Sequence, residues 1–217
     1  MIILDVEQNT PEWFDARLGI PTASRFSEIV TPLGKLSAQS RGYRYQLLGE
    51  WLAGETEESY QSGPMATGFM RQPEALRWYE MQTGHDVREV GFILHDERRL
   101  VGCSPDGLVG ATGGLEIKCP GYKAHVETLM TGAFPDRYYP QVQGGLWIAE
   151  REWWDFVSYH PGLPSSLVRV PRDDGYIAKL SEAVGEFVDL MMEDRETLLR
   201  RGFRPAREIP DAAATAG

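Results

Sequence analysis

Two short motifs constrain the fold of this 217-residue chain more than any other feature: Ser-Pro-Asp-Gly at 104–107 and Leu-Glu-Ile-Lys-Cys-Pro at 115–120. The proline and glycine of the first motif indicate a bend. In an extended strand Glu116 and Lys118 project to one face, while the two apolar residues beside them project to the other, which is a plausible core face. The sequence therefore predicts a strand on which Glu116, Lys118 and the nearby Asp106 converge.

The rest of the chain is predicted to place this strand in a mixed sheet with helices packed on it, because helical and strand-like hydrophobic periodicities both occur. The predicted helices are two short ones within 10–30, then 37–53, 63–83, 122–131, 138–150 and 173–201. The β-prone runs predicted to form an antiparallel meander are 87–95, 100–104, 108–109 and 115–118, and two further strands are predicted at 153–159 and 166–170. The fold class is therefore α/β, of the α+β kind.

Length and composition fit a single catalytic domain, predicted at 1–204, followed by a disordered tail at 205–217. No stretch approaches the roughly 20 apolar residues of a membrane span, and the N-terminus lacks the pattern of a secretory signal. A cytoplasmic protein without membrane association is expected.

The net charge of −10 predicts modest nonspecific affinity for nucleic acid. Local positive potential is still available, because basic residues cluster early in the chain. These are Arg17, Arg25, Lys35, Arg41, Arg44 and Arg71. The only cysteines, Cys103 and Cys119, lack the close partners that a zinc site needs, so buried free thiols are predicted.

The converging residues have the chemistry of phosphodiester hydrolysis. Asp106 and Glu116 offer oxygen ligands suited to Mg²⁺ or Mn²⁺, and Lys118 can orient the attacking water or stabilise the transition state. Either motif alone usually has a structural explanation, a turn or a solvated strand edge. Their combination on consecutive strands is much more specific.

Four ordered blocks resemble the PD-(D/E)XK nucleases and, within them, the phage lambda exonuclease or YqaJ-type viral recombinase family. The first is Trp-Phe-Asp-Ala-Arg-Leu-Gly-Ile-Pro-Thr-Ala-Ser at 13–24, followed by the two motifs above and by Tyr-Pro-Gln-Val-Gln at 139–143. The resemblance covers roughly residues 10 to 160. It implies a restriction-endonuclease-like central mixed β-sheet flanked by helices.

The resemblance also implies roles for individual residues. The metal ligands would be Asp106, Glu116 and the backbone carbonyl of Ile117, and Lys118 would orient the water. The residues implied around the 5′-phosphate and the scissile bond are Arg17, Ser24, Ser104 and Gln143, with Gln143 also counted as catalytic. A guanidinium and hydroxyl groups suit a terminal phosphate.

One position departs from the family pattern. Such nucleases usually carry a glutamate on the helix before the sheet, and here the corresponding residue is Gln72, within Gly-Phe-Met-Arg-Gln-Pro-Glu-Ala at 68–75. Three explanations stay open: Glu74 replaces the glutamate, Gln72 acts through its carbonyl or a water, or the site holds fewer metal ions.

The predicted function is a Mg²⁺-dependent 5′→3′ double-stranded DNA exonuclease, with Mn²⁺ as a substitute, that leaves 3′ overhangs for strand annealing. The resemblance further implies a ring-shaped homotrimer around linear DNA and a single-strand annealing protein as partner. The alternatives are a restriction-type or Cas4-like nuclease, the latter disfavoured by having two cysteines instead of four, and a non-catalytic scaffold that binds DNA ends.

Overall fold

The computed structural model describes residues 1–57, 63–96 and 100–206. Its helices are α1 (Pro11–Arg17), α2 (Ser40–Ala53), α3 (Gly63–Thr83), α4 (Tyr122–Thr131), α5 (Tyr139–Ile148) and α6 (Asp174–Arg200), with 3₁₀ helices at Ala23–Glu28 and Asp136–Tyr138. Its strands are β1 (Ile2–Leu4), β2 (Val87–Arg88), β3 (Phe92–Leu94), β4 (Gly102–Cys103), β5 (Gly107–Val109), β6 (Gly113–Lys118), β7 (Trp153–Ser158) and β8 (Ser166–Pro171).

The strands form two sheets, one of five strands in the order β2-β5-β6-β7-β8 and one of three in the order β1-β3-β4. The pair β6–β7 is parallel, whereas the other pairs are antiparallel. A parallel pair needs a long crossover, which α4 and α5 supply. The prediction of a mixed sheet flanked by helices is confirmed.

The predicted single meander between residues 87 and 118 is wrong, because its strands divide between the two sheets. Strand β3 pairs with β1, with Ile2 opposite Leu94, and β4 follows β3 in that small sheet. Strands β2, β5 and β6 belong to the large sheet. The three residues of β1 are too few to show an alternating pattern, so the sequence did not reveal the partner that draws β3 away.

The two faces of β6 are covered by different helices. Leu115 and Ile117 pack with Ala75 and Tyr79 of α3, which confirms the predicted core face. The larger core on the other side of the sheet gathers residues of α2, α5, α6 and the first 3₁₀ helix. Glu116 and Lys118, which alternate with these apolar residues, therefore face away from α3.

Capping residues mark the ends of the first two α-helices. The Thr10 hydroxyl accepts a hydrogen bond from the Trp13 N–H at 3.4 Å, with Pro11 at the first position of α1. Gly54 ends α2 with a left-handed φ of 73°. These caps place Trp13 and Arg17 on a short helix whose position is determined at both ends, since the Leu18 N–H bonds the Asp15 carbonyl.

A glycine allows α5 to approach the first 3₁₀ helix. A β-carbon on Gly144 would lie 2.5 Å from the Phe26 ring, which is fully buried, so a larger residue would push the two helices apart. This contact packs the 3₁₀ helix that carries Ser24 against the helix that carries Gln141.

Beyond α6 the chain turns back onto the body of the protein, and the Ala206 N–H donates to the Leu52 carbonyl at 2.8 Å. The remainder of the tail predicted at 205–217, from 207 onward, lies outside the described residues. Within the described part of the chain, no helix combines the length and the apolar character required to cross a membrane.

Candidate active site

Backbone pairing brings Asp106 and Glu116 together. Asp106 immediately precedes β5, and its N–H donates to the Leu115 carbonyl at 3.1 Å. The Asp106 carboxylate in turn accepts the Ile117 N–H at 2.5 Å. These two bonds straddle Glu116, so its carboxylate and that of Asp106 both line one cleft of about 400 Å³. The predicted convergence of the two acids is confirmed.

Three side chains donate hydrogen bonds to the two carboxylates. The Lys118 ammonium lies 2.6 Å from Glu116 Oε1, and the Gln141 amide donates to the same oxygen at 2.6 Å. The Gln72 amide donates to Asp106 Oδ1, also at 2.6 Å. The site therefore contains two acids, one amine and two neutral amides.

The electrostatics of the site follow from this composition. Burial, and then the neighbouring Glu116 carboxylate, raise the pKa of Asp106 well above its ordinary value, despite opposing contributions from Lys118, the Ile117 N–H and Gln72. Burial lowers the pKa of Lys118, but the attraction of Glu116 and Asp106 outweighs burial and raises it overall. The single ammonium of Lys118 therefore does not balance the two carboxylates at this centre.

The predicted phosphate-binding side chains Arg17, Ser24 and Ser104 line the same cleft. The Arg17 guanidinium carbon lies 3.9 Å from the centre of the Trp13 ring. The Trp13 indole N–H donates to the Ser104 hydroxyl oxygen at 2.9 Å. The structure thus brings these three predicted residues into one group next to the acids.

Gln143 is not in this cleft, and its assignment there needs correction. The residue is fully buried; its amide donates to the Pro171 carbonyl at 2.9 Å, and its oxygen accepts the Asp173 N–H at 3.0 Å. Residues two apart on an α-helix point about 200° apart. Since Gln141 faces Glu116, Gln143 must face the opposite side, where its two hydrogen bonds connect the end of β8 with the start of α6.

The structure also distinguishes the two residues considered for the glutamate position on α3. Gln72 contacts Asp106 directly, whereas Glu74 is exposed and hydrogen-bonds Tyr159. Burial and this bond to Glu74 raise the pKa of Tyr159 to about 12. The residue of α3 at the acidic centre is therefore Gln72.

Sequence reasoning missed two glutamines that shape the site. Gln141 belongs to the Tyr-Pro-Gln-Val-Gln block at 139–143, but the resemblance implies a role for Gln143 alone. Gln8 follows β1, and its amide donates to the carbonyls of Val90 and Pro105, both at 2.9 Å. Gln8 thereby supports the bend that carries Asp106, and no local sequence signal connects positions so far apart.

Four residues line both the main cleft and a second cavity of about 690 Å³, namely Gln8, Gln72, Asp106 and Ile117. Among the described residues, no three His, Cys, Asp or Glu side chains are grouped so that they could hold a metal ion. Any cation bound in the main cleft would rely on two carboxylates and on backbone or amide oxygens.

The two cysteines are free thiols, with Cys103 buried and Cys119 half-buried. Burial raises the pKa of Cys119 to about 11.

The fold is that of an alkaline exonuclease. The chain superposes on LHK-Exo from Laribacter hongkongensis with a TM-score of 0.82 and 38% identity, covering 89% of this chain and 98% of that one. The crystal structure of LHK-Exo in complex with dAMP matches with a TM-score of 0.81. A phage related exonuclease from Haemophilus somnus 129PT shares the fold at 13% identity and a TM-score of 0.65, covering 81% of this chain and 96% of that chain.

Residues 12–152 match the YqaJ-like viral recombinase domain, and the chain belongs to this family. The match includes all four sequence blocks, the two acids and the residues around Arg17. A shorter similarity connects the chain with ExoD, an uncharacterized protein of Escherichia coli (strain K12), at 31% identity over 64 residues, which are 28% of this chain and 74% of that protein.

Proposed function

We propose that this protein is a metal-dependent 5′→3′ exonuclease that resects linear double-stranded DNA to 3′ overhangs for recombination by strand annealing. Family membership and the likeness to LHK-Exo over nearly its whole length support a nuclease. The observation that carries the proposal is the shared cleft, which combines Asp106, Glu116 and Lys118 with Arg17. The complex of LHK-Exo with dAMP, a nucleoside monophosphate of the kind that an exonuclease releases, supports the same reaction class.

The donor set fits a hard divalent cation. Asp106 and Glu116 offer oxygen ligands, and among the described residues Lys118 is their only charged hydrogen-bonding partner. Burial, and then the charge of Glu116, raise the pKa of Asp106. These two carboxylates and the Ile117 carbonyl would hold Mg²⁺, with Mn²⁺ as a substitute. When bound, the cation would polarise the attacking water and neutralise charge developing on the phosphate.

The residues of the chain itself divide the remaining work. Lys118, as a hydrogen-bond donor held 2.6 Å from Glu116, orients the attacking water and stabilises the charged transition state. Gln141 also donates to Glu116 and takes the place that sequence reasoning gave to Gln143. Gln72 holds Asp106 in position through its amide, and its neutral side chain keeps a third negative charge out of the centre.

Arg17, Ser24 and Ser104 are proposed to bind the 5′-phosphate of the strand being digested. A guanidinium and two hydroxyl groups provide the donors that a terminal phosphate accepts. Their position beside the acidic pair would locate the first phosphodiester bond at the metal. This arrangement predicts a preference for phosphorylated ends.

We further propose a ring-shaped homotrimer around the DNA and a single-strand annealing protein as partner. The net charge of −10 supports a topological device, because nonspecific attraction to phosphates is weak for such a chain. A ring would keep the enzyme on its substrate without a strongly basic surface.

The decisive experiment is digestion of a linear duplex labelled separately at its 5′ and 3′ ends, with Mg²⁺ and with chelator. Early release of labelled mononucleotide from the 5′ end, with Mg²⁺ alone, is expected. Release from the 3′ end first would overturn the polarity, and internal cuts would indicate a restriction-type nuclease.

A non-catalytic scaffold that binds DNA ends is the second candidate, favoured by the neutral Gln72 at the acidic centre. The same experiment separates the two. A pure protein that binds the duplex ends but releases no nucleotide with either Mg²⁺ or Mn²⁺ would establish the scaffold.

A further inference from the structure

We propose that Trp13 is a positioning residue for the recognition of the 5′ end, because one indole ring orients both Arg17 and Ser104. This inference rests on the proposed function, in which those two residues bind the terminal phosphate. Trp13 is 7% exposed and lies in the wall of the cleft, where its ring face and its N–H make separate contacts. Each contact controls a different phosphate-binding group.

The ring face packs against the guanidinium and restricts its plane. Arg17 stacks on Trp13 with its guanidinium carbon 3.9 Å from the ring centre. Arginine has many rotamers, and stacking on an aromatic face restricts the plane of its fork. The stack therefore lowers the entropic cost of presenting the guanidinium to a phosphate.

The indole N–H determines the orientation of the Ser104 hydroxyl. It donates to the Gly91 carbonyl at 3.0 Å and to Ser104 Oγ at 2.9 Å. An indole nitrogen can only donate, so Ser104 Oγ accepts in this bond and its own hydrogen points elsewhere. Within the described part of the chain, the Ser104 hydroxyl donates to no protein group, so that hydrogen can be given to a phosphate oxygen.

The two contacts also connect the end-binding group to the catalytic centre. Ser104 stands two residues before Asp106 on the same bend, while Arg17 belongs to α1. Trp13 joins these two segments, and so determines how far the bound 5′ end lies from Asp106. If the contacts of Trp13 with Arg17 and Ser104 are distorted, the preference for phosphorylated ends should fall more than the rate of nucleotide release.

The test substitutes Trp13→Phe, which keeps an aromatic ring for Arg17 but removes the N–H. The measured quantity is kcat/KM on 5′-phosphorylated duplex divided by kcat/KM on 5′-hydroxyl duplex. Loss of one hydrogen bond at a charged site is expected to lower this ratio about tenfold. Trp13→Leu, which also removes the stack, should lower it further.

Trp153→Phe is the matched control. Trp153 also has an arginine over its ring, Arg169 at 3.7 Å, and its N–H also donates to a hydroxyl oxygen, that of Thr112 at 3.2 Å. It does not line the cleft. Any general effect of exchanging a stacked tryptophan should occur in this variant as well, without a change in the ratio.

A double-mutant cycle tests the route through Ser104. If Trp13 acts by orienting that hydroxyl, Trp13→Phe and Ser104→Ala combined should lower the ratio no more than Ser104→Ala alone. Additive losses, or a Trp13→Phe ratio equal to that of the Trp153→Phe control, would overturn the proposal.

Binding of the same two duplexes in chelator measures the preference without catalysis. A protein that releases no nucleotide but prefers the phosphorylated end would refute the proposed nuclease while leaving the role of Trp13 measurable in the binding ratio. Equal binding of both ends by the unsubstituted protein would refute the role of Trp13 itself.

Discussion

Two buried acidic sites lie on opposite faces of the same pair of strands. Asp155 of β7 is in register with Leu115 of β6, so its side chain lies on the face of the sheet opposite to Glu116. It is 1% exposed, and Arg169 binds its two oxygens at 2.8 and 2.9 Å. The Tyr79 hydroxyl donates to it at 2.8 Å. One negative charge thus meets one positive charge, and a neutral hydroxyl completes the set of donors.

The pair Asp106 and Glu116 is balanced differently. Lys118 is its only charged hydrogen-bonding partner among the described residues, and the remaining donors are neutral amides and one backbone N–H. Burying an unbalanced charge costs free energy, which a fold tolerates where a ligand compensates for it. The comparison indicates that Asp155 serves stability, and it supports the proposal that the Asp106–Glu116 pair binds a cation.

The largest effect is expected when the Asp106–Glu116 site is given the one-to-one charge balance of the Asp155–Arg169 site. Glu116→Gln leaves Asp106 and Lys118 as a one-to-one pair, as in the case of Asp155 and Arg169. Nucleotide release should fall by about 10³-fold or more, the scale of losing a transition-state electrostatic group. The melting temperature should stay the same or rise, because a repulsion between two acids is removed. Near-normal release would refute the assigned role of Glu116.

Removing the charge of Asp155 should have the opposite result, a loss of stability with activity retained. Asp155→Asn leaves the Arg169 guanidinium without its counterion and should destabilise the fold by about 3 kcal/mol, at the low end for breaking a buried pair because Arg169 is 52% exposed. Denaturant unfolding measures this loss. The rate per folded molecule should be retained, and a loss of activity at unchanged stability would contradict the structural role.

Addition of Mg²⁺ distinguishes the two sites directly. A cation that binds only the folded protein stabilises it by about 2.7 kcal/mol at 100 times its dissociation constant. The unsubstituted protein and Asp155→Asn should both gain melting temperature with Mg²⁺, while Asp106→Asn should gain none. An equal gain in all three proteins would locate the cation elsewhere.

The sequence predicted some parts of this comparison and not others, for physical reasons. Alternation along β6 was sufficient to assign Glu116 and Leu115 to opposite faces, and the bend motif placed Asp106 nearby. The resemblance located a glutamine motif but not its helical phase, so Gln143 was chosen instead of Gln141. The short β1 and the long-range contacts of Gln8 leave no periodic signal, since they depend on tertiary packing alone.

The two glutamines of α5 provide a smaller and matched contrast. Gln143→Ala should cost about 1–3 kcal/mol of stability, because the Pro171 carbonyl and the Asp173 N–H lose their buried partner. Gln141→Ala removes a donor to Glu116 and should lower nucleotide release about tenfold with little change in unfolding. Measuring rate and unfolding for both variants checks the correction, and exchanged phenotypes would restore Gln143 to the active site.

The smallest expected effect concerns Asp173, an acid of a third kind, which is half-exposed and bonded to neutral donors. The Tyr176 N–H, at 2.9 Å, and then the Tyr139 hydroxyl, at 2.7 Å, lower its pKa in the folded protein. A lowered pKa means that its charge stabilises the fold above the unfolded pKa of about 3.9, and that this stability is lost as the pH falls through the folded value. Asp173→Ala should therefore lower the free energy of unfolding by about 0.5–2 kcal/mol at neutral pH, as for other helix caps.

Denaturant unfolding measures the difference in stability between the unsubstituted protein and Asp173→Ala, and this difference should shrink below pH of about 4. A difference that stayed constant into acid would mean that the geometry of the cap, and not its charge, stabilises α6.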